Sequence, residues 1–144
     1  MTLDPDTIDA ALQAAQTAAS RAHCPYSRFP VGAAALDSTG HTWTGANVEN
    51  ASYPAGCCAE QVALNYAVSH GVPVDGFALI AIWTDTETPT APCGMCRQVM
   101  SELAPSARVV SLCSGGARLD TSVEALLPSS FDASALPGHG DRDD

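Results

Sequence analysis

The apolar run Phe77–Thr84 constrains the fold more than any other segment of the chain. It is bounded by Gly76 on one side and by turn-forming residues 86–89 on the other. A near-continuous apolar run of this length is typical of a central strand with both faces covered, because a half-exposed strand alternates apolar and polar residues. The run therefore predicts a sheet with helices packed against both sides.

The segments around this run alternate between patterns typical of strands and of helices. Short apolar segments between turn residues predict four more strands, at residues 29–36, 41–48, 108–113 and 117–119. Apolar residues at helical spacing predict helices at residues 5–21, 58–68 and 93–103, and a short one that Thr121 caps and Leu127 ends. The first two strands are expected to form a hairpin. Together the elements predict an α/β fold, a three-layer α-β-α sandwich with a mixed five-stranded sheet.

Length and composition narrow the classes of function. The chain has 144 residues, 46% hydrophobic and 15% charged, enough for one compact domain with a real core. We expect residues 1–136 to form that domain and residues 137–144 to form a polar, flexible tail. A formal charge of -10 argues against nucleic acid as a partner, because binding to phosphates relies on basic surface. The chain shows neither a membrane-spanning run nor a signal peptide, which predicts a cytoplasmic protein without a membrane partner.

Four chemically active side chains lie at the starts of two predicted helices. Cys93 and Cys96 are three residues apart at one start, where the helix dipole favours the thiolate. Cys58 and Glu60 lie at the other start. Cysteines in a cytoplasmic chain argue against disulfides and favour metal or thiol chemistry. Helical geometry permits one metal ion between the two helix N-termini.

The number of thiolates bears on the kind of metal site. Three thiolates without a fourth protein ligand are typical of a catalytic zinc, whose open position holds water. Cys57 is a poor fourth ligand, because adjacent residues rarely bind one ion, and we expect its side chain to point into the sheet. Cys24, Cys57 and Cys113 are all expected to be small buried residues. A C-x-x-C pair also occurs in redox proteins and structural zinc modules, which stay open as alternatives.

The segments around these cysteines resemble the signature of the zinc-dependent cytidine deaminases. The matching residues are Cys58-Ala59-Glu60 and Pro92-Cys93-Gly94-Met95-Cys96-Arg97-Gln98. Residues 26–32, 47–50 and 127–131 also resemble the small homotetrameric class, so the similarity spans about residues 23–135. The resemblance implies a cytidine deaminase-like sandwich, one zinc ion per chain, and a homotetramer whose active sites are shared between subunits.

The resemblance also implies a reaction. Cytidine and 2'-deoxycytidine would be hydrolysed to uridine and 2'-deoxyuridine plus ammonia, as in pyrimidine salvage. Zinc held by Cys58, Cys93 and Cys96 would carry the hydroxide that attacks C4 of the base, and Glu60 would shuttle the proton. The nearest alternatives are relatives acting on an aminoacyl-nucleoside antibiotic or on polynucleotide. Residues 47–50 favour a free ribose, and the acidic charge argues against polynucleotide.

Contacts with the nucleoside follow from the same resemblance. The implied substrate-binding residues are Phe29, Asn47, Glu49, Tyr53, Ala59 and Phe131. Asn47 and Glu49 bind the ribose 3'-hydroxyl, which suits an amide and a carboxylate at a strand end. Phe29 stacks near the base. Tyr53 and Phe131 approach the site from neighbouring subunits.

One position departs from the family pattern. Family members often carry Arg directly after Cys-Ala-Glu, where it neutralises a ligand thiolate, whereas this chain has Gln61. Gln61 can donate a hydrogen bond to sulfur but brings no charge. We therefore expect Arg97 and the helix N-termini to moderate the anionic thiolates.

Overall fold

A computed structural model describes residues 3–138. Of the predicted tail, residues 139–144 lie outside this range. The strands are β1 (Val31–Asp37), β2 (Thr42–Ala46), β3 (Phe77–Thr84), β4 (Arg108–Cys113) and β5 (Arg118–Ser122). The helices are α1 (Pro5–Ala19), α2 (Ala59–Ser69), α3 (Gly94–Leu103) and α4 (Val123–Leu126), and short 3-10 helices cover Tyr53–Ala55 and Ala133–Ala135. Within the described range, none of the helices has the length and apolar character needed to cross a membrane.

The strands form one mixed sheet in the order β2-β1-β3-β4-β5. β3 and β4 run parallel, and the other neighbouring pairs are antiparallel. The apolar run thus lies in the middle of the sheet, where α3 makes the crossover that a parallel pair requires. Ligand sites in such sheets form beyond the carboxyl ends of parallel strands.

Helices cover both faces of the sheet. On one face, Leu12 of α1 packs in a cluster with Leu36 and Val110. On the other face, Leu64 of α2 and Met100 of α3 share the larger cluster of buried residues. The predicted α/β fold, with a mixed five-stranded sheet between helical layers, is confirmed.

Two glycines allow the helices to approach the sheet closely. A Cβ atom at Gly32 would lie 1.8 Å from the carbonyl oxygen of Ala15 in α1, and one at Gly45 would lie 2.5 Å from that of Ala59 in α2. Close-packed interiors do not accommodate such contacts. Since Ala59 is the first residue of α2, Gly45 determines how near the N-terminus of α2 lies to the sheet.

The structure corrects the prediction near the end of the chain. β5 extends to Ser122, so Thr121 is a strand residue paired with Val109 and is not a helix cap. A β-branched residue suits that strand position. Ser122 caps α4 instead, and its hydroxyl accepts a hydrogen bond from the amide of Ala125. Both α1 and β2 end two residues earlier than predicted.

Candidate metal centre and adjoining cavities

Three cysteines meet where α2 and α3 begin. Cys58 is the N-cap of α2, Cys93 is the N-cap of α3, and Cys96 follows in the first turn of α3. The Sγ atoms of Cys58 and Cys93 are 3.8 Å apart, those of Cys93 and Cys96 are 3.5 Å apart, and all three lie within 4.8 Å of one another. The predicted juxtaposition of two helix N-termini is therefore present.

The three sulfurs fit a zinc ion. Tetrahedral zinc–thiolate bonds of about 2.3 Å place two sulfurs about 3.8 Å apart, close to the separations found here. Among residues 3–138, no further His, Cys, Asp or Glu joins this group. The donor set is thus that of a catalytic zinc with one open position, and a structural zinc module would need a ligand that the described residues do not provide.

The neighbouring cysteine does not supply a fourth ligand. Cys57 is exposed, so the expectation of a side chain pointing into the sheet is wrong. Cys57 and Val48 exchange main-chain hydrogen bonds of 2.9 Å in an antiparallel bridge. Successive side chains of such extended backbone point in opposite directions, so Cys58 faces the site while Cys57 faces solvent. Cys113 is buried as predicted, whereas Cys24 is half-buried.

Local electrostatics favour proton and metal chemistry at this point. Hydrogen bonding with the Cys96 thiol lowers the pKa of Cys58 to about 7, and Cys93 contributes in the same direction. A thiol with a lowered pKa loses its proton readily, as metal binding requires. The same hydrogen bond and burial raise the pKa of Cys96, so of these two thiols Cys58 ionises first. Burial raises the pKa of the Glu60 carboxyl above its usual value. Glu60 is only 5% exposed. A buried carboxyl with a raised pKa is suited to hold and release a proton.

Glu60 and two of the cysteines line a cavity of about 360 Å³. The other lining residues are Ser27, Phe29, Val31, Asn47, Ala59, Ile82, Thr84, Thr90 and Ala91. The structure therefore brings the predicted residues Phe29, Asn47 and Ala59 together with Glu60. Thr84 was missed by sequence reasoning, although its place at the carboxyl end of the central strand is a usable signal.

Asn47 is held rigidly at the wall of this cavity. Its Oδ1 accepts a hydrogen bond of 2.8 Å from the amide of Val31, and its Nδ2 donates one of 2.8 Å to the carbonyl oxygen of Phe29. A carboxamide has two acceptor sites and two donors. Asn47 therefore keeps one of each for a ligand, in an orientation fixed by the chain around Phe29.

Glu49 and Tyr53 line a second cavity of about 320 Å³, which shares Ser27 with the first. One oxygen of Glu49 accepts hydrogen bonds of 3.0 Å and 3.1 Å from the amides of Tyr26 and Ser27. Desolvation opposes ionisation of Glu49, but hydrogen bonds from the side chain of Ser27 and from the amides of Ser27 and Tyr26, with the charge of His23, outweigh it and lower the pKa of the carboxyl. Glu49 is thus a positioned carboxylate beside the cavity that contains Glu60.

Comparison with known proteins decides the family. The family described as the cytidine and deoxycytidylate deaminase zinc-binding region matches residues 5–113. The chain belongs to the cytidine deaminase family. The cysteine trio is accordingly its zinc site, and the predicted zinc cofactor, bound by Cys58, Cys93 and Cys96, is confirmed.

Individual family members are similar over most of their length. A cytidine deaminase of Halalkalibacterium halodurans is 47% identical over 113 residues, which cover 78% of this chain and 84% of the relative. A cytidine deaminase of Sporosarcina psychrophila is 40% identical over 125 residues, which cover 86% and 90%. The crystal structure of cytidine deaminase from Burkholderia pseudomallei has a TM-score of 0.83 at 45% identity, covering 85% of this chain and 98% of that one.

The residues next to the zinc ligands differ in what they contact. Gln61 is buried, and its Nε2 lies 3.7 Å from the Sγ of Cys96, to which it donates. Arg97 instead donates from Nε to the carbonyl oxygen of Pro92 at 2.8 Å and from Nη1 to that of Leu126 at 2.9 Å. Among residues 3–138, Arg97 thus donates to main-chain carbonyl oxygens and not to a ligand sulfur. Whether its charge moderates the cysteine trio stays a prediction.

Besides Glu49, two predicted substrate-binding residues lie outside the cavity that contains Glu60. Tyr53 is 74% exposed and Phe131 is 61% exposed, and neither lines that cavity. Large aromatic side chains are seldom left this exposed without a partner. Their placement is compatible with a role in the site of another subunit, and that role stays a prediction.

Proposed function

We propose that the chain hydrolyses cytidine and 2'-deoxycytidine to uridine and 2'-deoxyuridine, releasing ammonia. The observation that carries this proposal is the buried Glu60 in the same cavity as the zinc ligands Cys58 and Cys93. Family membership supports the reaction, because the similar proteins named above are cytidine deaminases. The zinc ion, when bound, supplies the Lewis acidity that activates water at neutral pH.

Glu60 moves the protons of the reaction. As a carboxylate it takes a proton from the attacking water, whose oxygen forms a bond to C4 of the base, and it passes that proton to N3. It then takes the remaining proton from the hydroxyl now on C4 and passes it to the exocyclic amine, so that a C4=O bond forms as the C4–N4 bond breaks and ammonia leaves. One water is consumed and the carboxylate is restored. Burial raises the pKa of Glu60, which favours the protonated form between these transfers.

Residues near the mouth of the cavity recognise the sugar. Asn47 has a free donor for the oxygen of the ribose 3'-hydroxyl, and Glu49 in the adjoining cavity accepts a hydrogen bond from that hydroxyl. Phe29 lies against the base, and Ala59 contacts the substrate beside the metal. A site built to bind hydroxyl groups discriminates against a ligand without them. Free cytosine should therefore be a poor substrate.

The finer parts of the proposal concern partners and location. We expect a homotetramer in which the exposed Tyr53 and Phe131 complete the sites of neighbouring copies. The formal charge of -10 supports a small nucleoside over nucleic acid as the ligand. A cytoplasmic location fits the unpaired cysteines, since reduced thiols are the norm there.

The deciding experiment follows the absorbance of cytidine on conversion to uridine by the zinc-loaded protein. Glu60→Gln should retain about one zinc per chain and lose turnover by about 100-fold or more. The matched control is Glu102→Gln, an exposed residue of α3, which should keep both. Near-normal turnover by Glu60→Gln would contradict the proton-transfer role. Absence of turnover by the zinc-loaded, unmodified protein would contradict the proposed function.

Glu49→Gln tests sugar recognition separately. The change should raise KM for cytidine while leaving the zinc content unchanged, because the carboxylate binds the sugar and not the metal. Equal activity of the unmodified protein on cytidine and on free cytosine would rule out the ribose contacts.

A further inference from the structure

Two consecutive residues of α3 hold the chain beyond α4. Nη1 of Arg97 donates a hydrogen bond of 2.9 Å to the carbonyl oxygen of Leu126. Nε2 of Gln98 donates one of 2.9 Å to the carbonyl oxygen of Phe131. These two hydrogen bonds hold the first and the last residue of the segment 126–131, which we call the terminal segment.

The same helix carries two zinc ligands. Nε of Arg97 donates to the carbonyl oxygen of Pro92, which precedes the ligand Cys93, and Cys96 precedes Arg97 in the helix. The guanidinium of Arg97 thus links the loop before α3 to the terminal segment. Displacement of the terminal segment relative to α3 requires the loss of at least one of these charge-assisted or neutral hydrogen bonds.

The start of the terminal segment has further support, because Leu126 packs against the core and the amide of Leu127 donates a hydrogen bond of 3.1 Å to the carbonyl oxygen of Val123. The segment leaves α4, which is a single turn, and it borders an open cleft of about 440 Å³ whose other wall includes Ser101 of α3. Ser129 has a φ of 55°, a left-handed conformation that is unfavourable for serine. Such a conformation persists only where the surroundings fix the chain on both sides. The bonds from Arg97 and Gln98 lie on either side of Ser129.

We propose that Arg97 and Gln98 are positioning residues that fix the terminal segment to α3 and so orient the ring of Phe131 toward a neighbouring copy of the chain. The proposal rests on the proposed function, in which Phe131 contacts nucleoside in the site of a neighbouring copy. The ring of Phe131 is 61% exposed, while its main chain is anchored through Gln98. An anchored backbone with an exposed side chain favours a contact to another copy, because less conformational entropy is lost on binding.

Gln98 allows the cleaner test, because Arg97 also supports the chain beside Cys93. Gln98→Met keeps the length of the side chain and removes the donor. Loss of one hydrogen bond should raise KM for cytidine by about two- to tenfold, with kcat and zinc content within twofold of the unmodified protein. Gln98→Lys, which restores a donor of similar reach, should recover at least half of the change. The matched control is Gln16→Met on the exposed side of α1, which should leave KM unchanged.

Hydrogen exchange supplies a readout independent of activity. Amides of residues 127–136 should exchange faster in Gln98→Met than in Gln16→Met, while those of α3 should not. Phe131→Ala should itself raise KM, and Gln98→Met should add little in that background, because the two changes act through one contact.

Three outcomes would overturn the proposal. The first is unchanged KM and exchange in Gln98→Met, and the second is a loss of zinc in that variant as large as its rise in KM. The third is a full effect of Gln98→Met in the Phe131→Ala background. Failure of the proposed function would look different, because the unmodified protein would not deaminate cytidine while the exchange experiment still reported on the anchor.

Discussion

Gly45→Ala should move the N-terminus of α2 and, with it, two groups of the zinc site. The added Cβ would lie 2.5 Å from the carbonyl oxygen of Ala59 and 2.5 Å from the amide nitrogen of Ala63, where ordinary contact begins at 3.4 Å. Both neighbours are backbone atoms, so no rotation of a side chain relieves the overlap. The helix must retreat from the sheet by about 1 Å. Cys58 and Glu60 flank Ala59 and must move with it.

The expected loss follows from the tolerance of the site. Zinc–ligand distances vary by only about 0.2 Å in well-formed sites, so a shift of about 1 Å at Cys58 should weaken zinc binding. The same shift at Glu60 should lower kcat/KM by about 100-fold. The overlap should also reduce the free energy of unfolding by about 1–3 kcal/mol.

Gly32→Ala is the matched control, because its Cβ would lie 1.8 Å from Ala15 in α1, on the face of the sheet away from the zinc site. Thermal unfolding, competition with a chelator and cytidine turnover should be measured for both variants. Both should unfold at lower temperature, but only Gly45→Ala should lose zinc affinity while folded. Normal zinc affinity in Gly45→Ala, or equal loss in Gly32→Ala, would refute the reasoning.

Three further changes have defined outcomes. Cys96→Ala should lose zinc and, with it, stability against unfolding. Metal analysis and denaturation of Cys57→Ala should show normal zinc content and normal stability. Normal zinc content in Cys96→Ala as well would contradict the ligand set. Gln61→Met should lower zinc affinity by about 10- to 100-fold in competition with a chelator, and unchanged affinity would show that its bond to sulfur is idle. Asp37→Asn should cost about 1–3 kcal/mol at neutral pH in urea denaturation, because an amide NH₂ cannot accept the indole hydrogen bond of Trp43.

Asp37 also gives a prediction for acid stability. Burial opposes its ionisation, but hydrogen bonds from Thr39, Trp43 and His41 outweigh burial and lower its pKa from 3.8 to about 2. The unfolded chain therefore binds this proton at a higher pH than the folded chain does. The stabilisation from the Asp37 carboxylate is complete above pH 3.8 and is lost as the pH falls toward about 2. The urea midpoint of the unmodified protein should fall over this pH range, whereas that of Asp37→Asn should not show this fall. An equal fall in the two proteins would contradict the role of Asp37.

The zinc ligands could be predicted from sequence because each cysteine lies at a helix start that its local pattern predicts, and because the resemblance to the cytidine deaminase signature implies that the two starts share one ion. Cys93 and Cys96 share one helical turn, and Cys58 occupies the start of a second helix. Residue type and spacing determine where such side chains point at a helix N-terminus. The apolar run of β3 was equally informative, because continuous hydrophobicity has few uses other than a strand covered on both faces.

Other features depended on contacts distant in sequence. Thr84 and Thr90 line the cavity only because the loop between them folds back beyond the end of β3, where their hydroxyls lie 3.2 Å apart. Cys57 faces solvent because of its bridge to Val48, and a sequence pattern does not reveal a two-residue bridge. Thr121 and Ser122 are both good caps, and pairing with β4 decides between them.

Arg97 shows most clearly why neighbours of a metal site are harder to predict than its ligands. A guanidinium beside Cys96 has five donors, and their targets depend on which acceptors the rest of the fold brings near. Here two of those donors meet the carbonyl oxygens of Pro92, in the loop before α3, and of Leu126, the last residue of α4. Among side chains of residues 3–138 other than the cysteines themselves, Gln61 alone donates to a ligand sulfur. Three thiolates outweigh the charge of a zinc dication, so we expect the amide dipole of Gln61 and the two helix N-termini to compensate at this site, and a contribution from the charge of Arg97 would have to act without a hydrogen bond to sulfur.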